Sequence, residues 1–137
     1  MTGKKNFEQV ELETTRRCEM VDITDSVAAA VHRLGFEDGV VVVASPHTTA
    51  GITLNEGFDP YVAEDLLRQL EILVPRDPHF KHTEGNSDAH IKVTLVGSEH
   101  LVVVEGARPV LGRWQRIFFC EFDGPRRRRF LVKGIPT

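Results

Sequence analysis

Between residues 6 and 15, Phe7, Val10, Leu12 and Thr14 are spaced among Glu8, Glu11 and Glu13, with one imperfect step near Gln9. A period of two sends alternate side chains to opposite faces, so the stretch predicts a half-buried strand. Arg17 to Ile23 carries a weaker form of the pattern and predicts a second strand, the two forming an opening hairpin. The period then changes. Val27, Ala30, Val31 and Leu34 recur at helical spacing behind Thr24-Asp25-Ser26, whose side chains can cap free helix amides, and Gly35 suits the left-handed stop. His32 falls off that apolar face and belongs to solvent. Gly39 to Ser45 is an almost unbroken apolar run, which reads as a central strand covered on both faces. Pro46 lacks an amide hydrogen and ends its pairing.

Thr49 to Leu54 predicts another short strand. Asn55 to Phe58 turns into a second helix, with Asp59 as N-cap and Pro60 in the first helical position. Val62, Leu66, Leu70 and Leu73 make its buried stripe, and Glu64, Arg68 and Glu71 its wet face. Pro75 ends it, and residues 75 to 90 form a long polar loop. His90 to Leu95 predicts a short helix closed by Gly97. Leu101–Val104, Arg113–Phe122 and Arg126–Val132 read as strands, joined by a hairpin loop over Gly106–Gly112 and a turn at Asp123-Gly124-Pro125. This order predicts one α+β domain over residues 1–137, with a mostly antiparallel sheet and two main helices.

A chain of 137 residues, 41% hydrophobic and 27% charged, can bury a proper core and is not a disordered one. The longest apolar run, Val40 to Ala44, is too short for a bilayer, and Met1 to Lys5 is polar; a cytoplasmic protein with no membrane association is expected. Cys18 and Cys120 are too few for a disulfide scaffold and read as reduced, structural thiols. The net charge of −3 hides an asymmetry: residues 51–100 hold nine acids and four bases, residues 101–137 three acids and eight bases. The basic end can meet an anion. Overall acidity argues against a dedicated nucleic-acid binder.

The candidate chemistry lies in two loops expected to converge. Ser45-Pro46-His47-Thr48-Thr49-Ala50-Gly51 follows the apolar strand, a rigid place to mount a histidine. Lys81-His82-Thr83-Glu84-Gly85-Asn86-Ser87-Asp88-Ala89-His90 carries two more histidines, two acids and an amide. His47, His82 and His90 are candidate metal ligands, since three nitrogen ligands with an open position suit a catalytic zinc. Glu84 can then orient a ligand or move protons beside His82. Thr48 and Thr49 offer hydroxyls to an anion, and Asn55 and Asn86 add amides. Of the four arginines Arg126–Arg129, two point to each face of a strand, so Arg128 or Arg129 can reach a phosphate. His79 and His100 are expected in solvent and at a strand start. Ser45 lacks the Gly-x-Ser-x-Gly setting of an activated nucleophile. Trp114 suits core or interface.

Several of these stretches, in order, resemble one family: Ser45-Pro-His-Thr-Thr-Ala-Gly51, Asn55-Glu56 with Asp59-Pro60, Val74-Pro75, His82-Thr-Glu-Gly-Asn86 with Ala89-His90, Gly112-x-Trp-Gln115, and Cys120-Glu-Phe-Asp-Gly-Pro-Arg-Arg-Arg-Arg129. They are similar to the YjbQ-type proteins, known also as secondary thiamine-phosphate synthase enzymes. Arg113 departs from the threonine common there. The resemblance implies an α+β fold with β-sandwich-like sheets, a homotrimer, and a divalent-metal site at His47, His82 and His90. It implies joining of hydroxymethylpyrimidine pyrophosphate to thiazole phosphate, a reaction of small phosphorylated molecules. The residues themselves leave alternatives. No acid-rich magnesium motif is present, and histidine ligands favour zinc, which suits metal-dependent hydrolysis equally. A non-catalytic trimer that binds a metal or small anion is the other reading.

Overall fold

The structure is a computed structural model and describes residues 6–137. The opening alternation becomes β1 (Phe7–Glu13), which half-buries Glu8, Val10 and Leu12 and exposes Phe7 and Glu11. The next strand, β2 (Glu19–Asp22), does not pair with it. β1 pairs instead with the last strand, β8 (Arg127–Pro136), and β2 with β7 (Gln115–Glu121). The expected hairpin is therefore replaced by a crossing from one sheet to the other. Local alternation names a strand's faces but carries no information about its partner.

Between them run β3 (Gly39–Ala44), β4 (Ala50–Glu56), β5 (Glu99–Glu105) and the two-residue β6 (Arg108–Pro109). The strands form a five-stranded sheet, β1-β8-β3-β5-β6, and a three-stranded sheet, β2-β7-β4. All pairings are antiparallel. With three helices they make a single-domain α+β fold of curled sheets.

The first helix, α1 (Thr24–Leu34), buries Val27, Ala30, Val31 and Leu34, and Gly35 takes the left-handed stop at φ 77°. Its expected hydroxyl cap is absent. Thr24 Oγ1 accepts the Ile117 amide at 2.8 Å, and the Thr24 amide donates to Asp22 at 3.0 Å. The threonine's hydroxyl is thus used to tie the helix to β7. α1, Val41, Val43, Val102, Val104, Ile117, Phe119, Phe130 and Val132 make the main core between the sheets.

Two burial expectations change. Val41 and Val43 are buried, but Val40, Val42 and Ala44 are only partly so, because among the described residues no element covers the outer face of the large sheet. There Val40 lies between Val103 and Ile135, and Leu101 beside Val42. Leu101, Val103 and Ile135 are 61%, 55% and 48% exposed. The second helix, α2 (Pro60–Leu73), has the expected Asp59 cap, which accepts the Tyr61 amide at 2.9 Å, and Pro60 starts it. Yet no residue of α2 is fully buried: its stripe only leans on the small sheet, and Leu73 is exposed.

The third helix, α3 (Ser87–Val96), starts three residues before the sequence pattern suggests, so His90 is helical. Gly97 closes it, its amide donating to Val93 O at 2.7 Å. α3 comes close to β4: a Cβ on Gly51 would stand 2.4 Å from the Gly97 carbonyl oxygen, which accepts the Ile52 amide at 3.1 Å.

Candidate functional site

The loop after β3 is set by Ser45. Its hydroxyl donates to Ala50 O at 2.7 Å and accepts the His47 amide at 3.2 Å, closing a compact turn. His47 Nε2 accepts the backbone N–H of Arg129 at 3.0 Å, and the ring meets Phe119 edge-on with centroids 6.4 Å apart. With Nε2 as acceptor, the neutral ring carries its proton on Nδ1. Burial, with the Arg128 and Arg129 guanidinium groups, pushes the imidazole below its ordinary value and favours that neutral form.

His82 and His90 meet each other instead. Their rings stand edge to face with centroids 5.3 Å apart, His82 from the loop and His90 from the first turns of α3. They line a shallow open basin of about 370 Å³ with Phe80, Lys81, Ser87 and Ile91. Glu84 lies exposed in the same loop.

Hydrogen bonds join the two loops through the β7–β8 turn. Asn86 Nδ2 donates to Asp123 Oδ2 at 2.7 Å, and the Asp123 amide donates to Glu121 Oε2 at 3.0 Å. Glu121, fully buried, is paired to Arg128, whose Nε reaches Oε1 at 2.8 Å. Arg128 Nη2 also donates to Thr49 Oγ1 at 2.7 Å, and Thr14 Oγ1 donates to Glu121 Oε1 at 2.8 Å. Burial alone would push the Glu121 carboxyl up, but Arg128, the Asp123 amide and Thr14 together hold it below its ordinary value. α3 is tied down in the same way: buried Asp88 accepts Arg17 Nη1 and Nη2 at 3.0 and 3.2 Å, and buried Lys92 reaches Glu71 of α2. Against the effect of its burial, Arg17 and Lys92 keep the Asp88 carboxyl below its ordinary value.

The candidate residues thus fall into groups. Thr49, Arg128 and Asn86 are buried in the internal network, and Asn86 Oδ1 is a buried acceptor with no partner among the described residues. Thr48 and Arg129 are exposed, with Arg127 and Arg129 on the outer side of the large sheet. Asn55 lies on the small sheet beside Arg116. Sequence reasoning missed Thr14, Arg17, Asp88, Glu121 and Asp123. Only the acids inside apolar or turn segments, Glu121 and Asp123, stood out as a possible signal. As for an ion, His82 and His90 fit two positions of a histidine site. Among the described residues no three His, Cys, Asp or Glu side chains come together to hold a metal. Cys18 and Cys120 are free thiols, and burial pushes Cys120 up to about 12.

A two-sheet α+β fold carrying paired imidazoles beside a buried ion-pair network defines the class. The chain belongs to the UPF0047 protein YjbQ-like family, whose model matches residues 8–137. It is 50% identical over 125 residues to the UPF0047 protein MJ1081 of Methanocaldococcus jannaschii, covering 91% of each chain. To YugU of Bacillus subtilis it is 46% identical, covering 90% of this chain and 95% of the other. A YjbQ/UPF0047 family protein of Clostridium acetobutylicum superposes with a TM-score of 0.91 at 47% identity, over 93% of this chain and 99% of that one. A YbjQ-like protein of unknown function from Sulfolobus solfataricus gives 0.90 at 33%, over 96% of each. No described helix is long and apolar enough to cross a membrane.

Proposed function

We propose that the protein is a cytoplasmic homotrimeric enzyme acting on a small phosphorylated molecule, at a divalent-metal site that His82 and His90 begin and a second copy of the chain completes. The observation that carries this reading is the His82–His90 pair, edge to face at 5.3 Å in an open basin. His47 supplies the third nitrogen from the neighbouring copy, its Nε2 exchanging the Arg129 amide for the metal. It sits at the end of β3 against Arg129, whose side chain faces the same side as the uncovered apolar face of the large sheet, where a second copy would dock. Zinc fits this donor set best.

A bound zinc would supply charge stabilisation to a departing phosphate or pyrophosphate. Within the chain, Asn86 holds the start of α3 to the β7–β8 turn, and this fixes His90 relative to the loop. Glu84 moves the proton, and Lys81 and the exposed Arg129 draw the phosphate in. Condensation of hydroxymethylpyrimidine pyrophosphate with thiazole phosphate is the reaction assigned by the resemblance. The openness of the basin to water favours hydrolysis of the same substrate class as the second reading.

Elemental mass spectrometry of untagged protein tests the site. About one zinc per chain is expected, and its loss in both His47→Ala and His82→Ala. Mixed oligomers of the two variants should regain part of the metal, because some interfaces then join an intact His47 to an intact His82. Glu84→Gln should keep the metal and lose turnover. Protein without metal in every form would refute the reading.

A further inference from the structure

Beneath α2 the small sheet is incompletely covered. Leu67 and Leu70 touch the cluster of Met20, Phe118, Cys120 and Phe122, but no residue of the helix is fully buried. Two cavities lie in the gap. One, of about 240 Å³, is walled by Leu66, Leu70, Leu95, Val96 and Phe122, with Thr53 and Asn55 on its floor. The other, of about 530 Å³, is walled by Arg16, Asp22, Glu56, Asp59 and Glu64 over Phe118. Met20 and Leu67 line both, so they run end to end as one trough.

Its two ends differ in charge. At the wide end Asp22 is neutralised by Arg116 at 2.7 Å. The Glu56 and Asp59 carboxylates accept backbone amides, which satisfies their hydrogen bonds but leaves their charge, and Glu64 is exposed. Among the described residues walling that end Arg16 is the one cation, and it stands 3.9 Å from Glu19 outside the trough. The wide end is therefore net negative. The narrow end has no charged wall, and its Cys120 thiol is buried and un-ionised at neutral pH. An apolar cavity of about 150 Å³ holds a benzene ring, so the narrow end has room for a substituted ring.

We propose that this trough is a binding site for a small amphipathic amine, with its apolar ring between α2 and the sheet and its ammonium among Glu56, Asp59 and Glu64. The acidic end repels phosphates, so this site is separate from the proposed phosphorylated-substrate site and does not depend on it.

The test uses Met20, one of two methionines, whose side chain lines both cavities. Full-length protein labelled with 13C at the methionine methyl is titrated with phenethylamine, 2-phenylethanol and 3-phenylpropionate, and Met20 is assigned with Met20→Leu. Saturable movement of the Met20 signal is expected with the amine, binding at least tenfold weaker with the alcohol, and none with the carboxylate. Glu64→Lys should weaken the amine at least tenfold, and Thr53→Phe should block it, with both variants keeping the wild-type circular-dichroism spectrum. Equal binding of all three probes would overturn the proposal, as would an unmoved Met20 signal. A Met20 signal that shifts with protein concentration instead of with amine would also overturn it, by showing a second copy of the chain in the trough.

Discussion

Glu121→Gln removes one charge from a fully enclosed ion pair. Glu121 and Arg128 are 0% and 4% exposed, and the guanidinium stays buried when the carboxylate is gone. Breaking such a pair by removing one partner costs about 3–5 kcal/mol. The glutamine keeps some hydrogen bonds, so the lower end, about 3 kcal/mol, applies. An unfolding entropy of about 2.1 cal/mol/K per residue makes about 0.29 kcal/mol/K for this chain, and a fall in Tm of about 10 °C follows. Differential scanning calorimetry at one fixed protein concentration measures it, because assembly would otherwise add its own shift. The pH dependence has a definite sign. Glu121 is held below its ordinary value when folded, so its stabilisation is full above the unfolded carboxylate range and is lost as pH falls through the folded value. The gap between wild type and variant should narrow below about pH 4. The double variant Glu121→Leu/Arg128→Met should recover most of the loss, since two apolar side chains leave no charge stranded. A drop under about 3 °C at neutral pH, or a gap unchanged in acid, would refute this account.

Gly51→Ala places a Cβ 2.4 Å from the Gly97 carbonyl oxygen, so α3 must shift; a loss of about 1–3 kcal/mol and faster amide exchange over 87–96 are expected. Asp88→Asn breaks the two-pronged bond to the partly exposed Arg17 and should cost about 2 kcal/mol by urea denaturation, with the His82–His90 proximity lost to nuclear Overhauser measurement. Leu101→Lys/Val103→Lys should convert the proposed trimer to a chain of 15.4 kDa by light scattering; wild type that already runs at that mass would remove the docking argument. In metal-free protein His47 should titrate below its ordinary value with its neutral proton on Nδ1, read from two-bond 1H–15N couplings; a proton on Nε2 would contradict the Arg129 contact.

The elements were legible wherever periodicity or a cap dictates them. α1, the Asp59-Pro60 start of α2 and the pairing-ready strands follow from local residues. Partners were not legible. Nothing near Phe7 or Glu13 announces that β1 pairs with residues 127–133 and not with β2. Burial was misjudged for the same reason at Val40, Val42 and the α2 stripe: an apolar side chain states a preference, and the neighbours that satisfy it come from elsewhere. In the site, His82 and His90 were found by residue type. Arg128 was read for its charge, and only the fold brings Glu121 and Thr49 against it. Asp88 and Arg17 are 71 positions apart in the chain, a separation that no spacing rule covers.

The place of β8 governs how the chain can acquire its structure. It lies inside the large sheet, between β1 and β3, and pairs Lys133 with Phe7. A sheet in which an interior strand follows all the others in sequence closes only after more than a hundred residues have been brought round, which makes folding slow and dominated by distant contacts. Any fragment ending before Arg127 leaves β1 and β3 without the strand that joins them and Glu121 without its cation. Such fragments would expose unpaired sheet edges and aggregate, so the chain has no folded half and must be recovered whole or not at all.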